Sequence, residues 1–457
     1  MDRQLIILGN GFDLTAKLKS KYSHFFEEYF KGEIENIKEQ EDILSNVSGK
    51  EQQNNLRSMF RKEMGSDKFK NFWMYYFFQK RYSENIFNEN WADIETEILN
   101  VLLNIDIKYY GKKGYYQVKE DLTGREEDRI IRQSVRNKLD IIEGDMKGCT
   151  NREFDEETLR GIKIPNSNGG DFKLDTNFLN AYENLNGINP NDKIIITSKG
   201  EFIGALFKDL LDLEKEFASY LAIVSNSEEY RYNARRLLDE IIFKNVMPDK
   251  FYDVDSEEKD KIKKEIKDNT NVLSFNYTKG YLVNDFNNQN NINPAYYCNV
   301  HGNLGNDNII FGIDNAFDKS IEENKNDINL ILPFTKTYRI MDRDDIKFEL
   351  KKDLKLIKFY GHSLAQADYS YFQTIFDDVD LYNSETVLIF YYSVYSRGKE
   401  REIREKNKRS VHNLISVYGS TMDNKDHGKN LLHKLLLEGR VKIKELDIFS
   451  LSLLPVD

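Results

Sequence analysis

Leu5-Ile6-Ile7-Leu8-Gly9-Asn10-Gly11-Phe12-Asp13-Leu14 decides the fold of this 457-residue chain. Four consecutive apolar residues stop at a glycine turn. A short run without alternation, bounded by a turn, predicts a strand buried on both faces, as parallel strands are. Beyond the turn, residues 13–30 place Leu14, Leu18, Tyr22, Phe25, Phe26 and Tyr29 at helical spacing, with a break expected near Ser20. Strand, glycine turn and helix open a βαβ unit. Glycine at 9 and 11 lets the backbone approach a ligand closely, and the free N–H groups of the next helix suit a pyrophosphate. The third glycine of the GxGxxG pattern is missing, with Leu14 in its place. Two readings stand open here, a seat for nucleotide phosphates and a strand-to-helix turn with no ligand.

The same alternation of strand and helix returns late in the chain. Strands are predicted at 193–197, 271–275, 296–300, 308–312, 355–360, 386–392 and 440–449. A helix over 202–224 carries Phe202, Leu206, Leu210, Leu213, Phe217 and Leu221 on one face. This is the pattern of an α/β protein with a doubly wound parallel sheet. Residues 31–190 differ. Charged helical segments are predicted at 51–64 and 91–104, an aromatic-rich one at 69–82, and a long polar surface loop at 144–176. The chain therefore divides into a first βα unit (1–30), a large helical insertion (31–190) and the remainder of the core (191–457). The aromatic cluster Phe72, Trp73, Tyr75, Tyr76 and Phe77 is read as packing.

Composition narrows the function. A net charge of -11 gives no support for non-specific nucleic-acid binding. The two cysteines, Cys149 and Cys298, build neither a multi-thiolate zinc site nor a disulfide framework, and read as buried thiols. His24, His412, His427 and His433 lack companions at ligand spacing, so no metal is expected. No apolar stretch is long enough for a signal-peptide core or a membrane span, and a cytoplasmic protein without a membrane partner is expected. GxxxxGK[ST] is absent, which excludes a P-loop NTPase.

Polar residues cluster where predicted strands end. Asn276 and Thr278 follow the strand at 271–275, His301 follows that at 296–300, and Gly361-His362-Ser363 follows that at 355–360. Carboxyl ends of parallel strands face the crevice where such sheets bind ligands. Asn276 offers a donor and an acceptor for ribose hydroxyls or water, and equally suits a helix cap. His301 is a natural proton acceptor near neutral pH. His362 reads either as a phosphate or ribose contact, or as a loop lock with Asp368 as its partner. Ser363 reads as a cap for the following helix.

Taken in order, these motifs resemble one family. They are Leu8-Gly9-Asn10-Gly11-Phe12-Asp13-Leu14 with Tyr22 and Phe25, Trp91 to Glu95 (WADIE), Phe275-Asn276-Tyr277-Thr278 with His301-Gly302, and Gly361-His362-Ser363-Leu364 with Asp368 and Tyr371-Phe372. Together they resemble the AbiH family of phage abortive-infection proteins. That family is in turn similar to the sirtuin-like NAD-binding group. The resemblance implies a Rossmann-like, sirtuin-like core and NAD as substrate, hydrolysed at the nicotinamide–ribose bond. Gly9, Asn10, Gly11 and Phe12 would then hold the nucleotide, joined by Thr278, Gly361, His362 and Ser363. Asn276 would orient the ribose and the attacking water, His301 would take a proton, and Asp13 would stabilise the developing positive charge. The chain departs from the wider group at Asn10, where alanine is usual, at Asp13, where serine is usual, and at Thr278, where aspartate is usual. Lys17 stands near a position where AbiH relatives tend to have glycine. The absence of a four-cysteine zinc ribbon speaks against protein deacetylation. Two other functions fit the same residues: a nucleotide (NAD or ADP-ribose) sensor without turnover, and an interaction module whose insertion recognises a phage component. A phage-derived trigger and self-association are the further partners this reading admits.

Overall fold

The computed structural model describes residues 2–32, 71–74, 76–77, 94–104, 106–111, 114–116, 160–165, 171–173, 199–279, 294–306, 308–313, 328–343, 353–364, 368–396 and 398–448. The segments predicted at 51–64 and 193–197, together with Trp91 to Asp93 and Cys149, lie outside them. Among the described residues ten strands run in chain order as β1 (Arg3–Leu8), β2 (Asp106–Gly111), β3 (Gly114–Tyr116), β4 (Arg160–Pro165), β5 (Asp171–Lys173), β6 (Thr270–Ser274), β7 (Tyr296–Asn299), β8 (Leu354–Tyr360), β9 (Val387–Tyr392) and β10 (Val441–Glu445). The helices used below are α1 (Asn10–Thr15), α2 (Tyr22–Tyr29), α3 (Ile94–Asn104), α4 (Lys199–Val224), α5 (Glu228–Phe243), α6 (Ser256–Asp268), α7 (Ile328–Ile331), α8 (Lys336–Ile340), α9 (Tyr369–Asp378), α10 (Glu400–Thr421) and α11 (Lys425–Leu437).

Six strands form one sheet, ordered β10-β9-β8-β1-β6-β7, with every neighbouring pair parallel. β1 lies inside it, between the late strand β8 and its chain successor β6. The run Leu5–Leu8 is apolar throughout because both faces of β1 are covered. Leu5 and Ile7 join Ile357, Phe359, Phe390 and residues of α9, α10 and α11 in one core. Ile6 and Leu8 join Leu237, Ile241 and Ile242 of α5 and Ile266 of α6 in another. Fully burying each such side chain stabilises the fold by roughly 1.5–3 kcal/mol. A third core gathers α2, α3 and α4 with Phe72, Trp73, Tyr76 and Phe77, all buried. The Trp73 indole N–H donates to the Leu206 carbonyl at 2.8 Å.

The segment 13–30 breaks near Ser20 as expected, at a turn over residues 16–21 between α1 and α2, and two other expectations need correction. Lys17 adopts φ 72°, Leu18 N–H donates to Asp13 O and Lys17 N–H to Leu14 O, the bonds of a Schellman C-cap. Glycine is the residue best suited to that position, and Lys17 adopts the same left-handed conformation. The predicted strand at 308–312 joins no ladder of the sheet. Ile310 N–H donates to His301 O at 2.8 Å and Phe311 N–H to the Glu214 carboxylate at 2.6 Å, and one bridge pairs Ile313 with Thr335. The segment 144–176, read as loop, carries β4 and β5. With β2 and β3 they form a four-stranded antiparallel sheet ordered β3-β2-β4-β5. The insertion is therefore not wholly helical; Ile162 and Ile164 alternate with Gly161 and Lys163, the period of a strand.

Candidate functional site at the carboxyl ends of the parallel strands

Between β1 and β8 the chain order of the sheet reverses, and the turns that follow these two strands pack backbone against backbone. Gly9 N–H donates to Tyr360 O at 3.0 Å and Gly11 N–H to Gly361 O at 2.8 Å. A Cβ on Gly9 would lie 2.5 Å from His362 Cα, and one on Gly361, which has φ +69°, would lie 2.3 Å from Phe12 N. The glycines are thus required by the contact between the two turns, and the Gly11 N–H is engaged by a protein carbonyl. Asn10 accepts from the Ser20 hydroxyl, and Phe12 is fully buried, edge-on to Tyr360.

Beneath the first turn lies a buried polar network. Asp13 is 1% exposed; its two carboxylate oxygens accept from Tyr230 Oη at 2.8 Å and from Thr278 Oγ1 at 2.6 Å. Burial pushes its carboxyl up to about 6, against the pull of the two hydroxyls. Asn276 Nδ2 donates to Gly9 O at 3.1 Å, which ties the end of β6 to the glycine turn. Asn299, the last residue of β7, donates to Asn276 O at 2.6 Å and Thr278 O at 3.1 Å. These carbonyl acceptors fix which end of each amide is nitrogen. Asn276 Oδ1, Asn299 Oδ1 and His301 Nε2 are then buried polar atoms with no partner. Buried polar atoms are rarely left so, and such an atom calls for an explanation.

A charge cluster adjoins them. His301 sits in the turn after β7, and Gly302 beside it has φ +93° and no room for a Cβ, which would meet Asn308 O at 1.9 Å. His301 Nε2 lies 3.7 Å from Asp368 Oδ1, and His362 Nε2 lies 3.3 Å from Asp368 Oδ2. Lys336, at the start of α8 and 2% exposed, places its ammonium 3.1 Å from Asp368 Oδ1 and 2.9 Å from Glu95 Oε1. Burial opposes both charges. Even so, Lys336 holds the Asp368 carboxyl well below the carboxylate range, and Glu95 and Asp368 hold the Lys336 ammonium well above the lysine range. Burial, and then the Lys336 ammonium, push the His301 imidazole down to about 3, so it is neutral at pH 7. Phe275 stands edge-on to both imidazoles, with ring centroids 5.4 Å from His301 and 4.7 Å from His362, and Tyr371 flanks His301 at 5.5 Å.

The structure therefore brings Gly9, Gly11, Asn276, His301, Gly361 and His362 to one end of the sheet, with Asp13 and Thr278 joined beneath. Asp368 is the partner of His362. Ser363 is exposed, and the N-cap position of α9 is held by Asp368. Sequence reasoning missed Lys336, Asn299 and Tyr230. It placed Glu95 in a motif without assigning it a role. Lys336 stands in Thr335-Lys336-Thr337-Tyr338, where a lysine reads as solvated, and the only cue is that each opposite charge near it belongs to a quoted motif.

The family model for bacteriophage abortive infection AbiH matches residues 5–391. No curated protein and no solved structure matches the chain.

Proposed function

Because this chain belongs to the AbiH family, whose members act in bacteriophage abortive infection, we propose that it works as an abortive-infection effector that hydrolyses NAD at the nicotinamide–ribose bond. The observation that carries this reading is the unpartnered buried atom Asn276 Oδ1, which stands with His301 at the carboxyl ends of neighbouring parallel strands. Two further features support it. Read from β7, the strands rank 3-2-1-4-5-6 in chain order, the order of Rossmann-like dinucleotide-binding sheets, and the candidate residues flank the switch point. The departures at Asp13 and Thr278 from the sirtuin-like pattern compensate each other. A carboxylate and a hydroxyl occupy the two positions in either pattern, here with ends exchanged and bonded at 2.6 Å.

In this scheme the bond between ribose C1′ and the nicotinamide ring nitrogen breaks, and its electron pair leaves with nicotinamide. Water held by Asn276 attacks C1′, and its proton passes to the neutral imidazole of His301. Asp13, with both oxygens engaged, holds Thr278 and the turn in place; it acts on the substrate through them.

A second reading, an interaction module for which the core is a scaffold, is favoured by one observation: the Gly11 N–H expected to meet phosphate is donated to Gly361 O. NAD consumption by purified protein separates the two. Turnover to nicotinamide and ADP-ribose in wild type, reduced at least about 100-fold in Asn276→Ala and in His301→Ala, is the expected result. Neither product nor calorimetric NAD binding, before and after phage infection of the source cells, would favour the interaction module, and binding without product would point to a nucleotide sensor.

A further inference from the structure

The scheme above leaves open which nitrogen of His301 takes the proton, and the charge cluster answers that. His362 Nδ1 accepts the Leu364 backbone N–H at 2.9 Å, so the proton of this imidazole is on Nε2, which faces Asp368 Oδ2. His301 presents Nε2 to the other oxygen of the same carboxylate. Were the His301 proton on Nδ1, the Nε2 lone pair would be buried against a carboxylate oxygen. With the proton on Nε2, the positive end of the N–H bond meets that charge at 3.7 Å, an electrostatic preference and not a hydrogen bond. Asp368 stays ionised because Lys336 binds the same Oδ1, and Glu95 shares the ammonium. At His362 the hydrogen bond that one ring nitrogen makes sets the state of the other, and at His301 the charge of the nearby carboxylate does so.

We propose that Asp368, anchored by Lys336, is the positioning residue of this site: it selects the Nε2–H tautomer of both His301 and His362 and leaves Nδ1 of His301 as the nitrogen that accepts the proton. The role of His301 as acceptor rests on the proposed reaction; the tautomer does not. On protonation at Nδ1, the imidazolium keeps its Nε2–H toward the Asp368 carboxylate, which balances the new charge. Glu95 comes from α3 within the segment inserted between the first and second strands of the parallel sheet. That segment thereby holds the cation that holds Asp368.

The experiment is nitrogen NMR on full-length protein labelled with ¹⁵N at histidine, which carries only six such side chains, assigned through His301→Gln and His362→Gln. At pH 7 both residues should show a single Nε2–H pattern. In Asp368→Asn the pattern at His301 should collapse to a mixture or reverse, whereas in Glu95→Gln, where Lys336 keeps Asp368, it should persist. A His301 found as Nδ1–H in wild type overturns the proposal, and so does an unchanged pattern in Asp368→Asn. If Asp368→Asn does not fold, the wild-type spectrum alone still decides between the two tautomers. Because the spectra require no turnover, loss of the hydrolase reading would leave the tautomer result standing, and the reverse also holds.

Discussion

At Asp13 a single residue contributes to the pH response of the fold. Its carboxyl ordinarily titrates near 3.8 and is pushed up to about 6 in the folded chain. The folded protein binds this proton more tightly than the unfolded one. Stability from this group is therefore complete below about 3.8 and is lost as pH rises through 6. Asp13→Asn removes the ionisation and keeps an amide able to bond Tyr230 and Thr278. Relative to wild type, the variant should gain stability between pH 4 and pH 6.5, up to about 3 kcal/mol. Urea unfolding of both proteins across that range checks it; a constant difference would remove Asp13 as the cause. At the neighbouring turn the constraint is steric. Gly361 meets Phe12 and Gly11 backbone atoms, which have no side-chain freedom with which to move away.

Among the elements, α5 depends most on a single distant side chain. Lys358, in β8 beside β1, is fully buried, and its ammonium donates to the carbonyls of Ile241, Ile242 and Lys244 at 2.9, 3.0 and 2.7 Å. The last carbonyls of a helix have no partner within it, and a cation there is favoured by the helix dipole. Lys358→Met strands these carbonyls and should cost about 2–4 kcal/mol, with faster amide exchange in the last turn of α5. Stability within about 0.5 kcal/mol of wild type would show that water replaces the ammonium there. Lys358 also marks what the sequence conceals. The strands β6 to β9 are legible because each holds a short, mostly apolar run closed by a turn, and β10 because Val441 and Ile443 alternate with Lys442 and Lys444. That Lys358 points inward is not, since it stands among strand residues as Lys355 does, and Lys355 lies on the surface with Glu385. The segment 308–312 misleads for a related reason: Ile309, Ile310 and Phe311 are as buried as strand residues, but their backbone partners lie in the turn of His301 and in α4. Asn276, His301 and His362 are legible because sheet topology brings strand ends together. Lys336 is not, because nothing local announces a burial decided by Glu95 and Asp368.

For the molecule as a whole, the sheet is assembled from remote pieces. β1 pairs with strands that begin at residues 270 and 354. A fragment of residues 1–353 would leave one long edge of β1 unpaired and its apolar side chains uncovered on the faces built by α9, α10 and α11. It should melt without a cooperative transition and scatter light at micromolar concentration, where the full chain does neither. A soluble fragment with a sharp melt would mean that β1 and β6 with their helices fold alone. The same arrangement imposes a schedule on biosynthesis. At about 5–20 residues per second, β1 waits on the order of ten to fifty seconds for its first partner. Glu95 is made early, Lys336 and Asp368 long after it, so translation of a protein of the abortive-infection family has to pass residue 368 before its charge cluster can exist, and a ribosome stalled earlier releases a chain that lacks it.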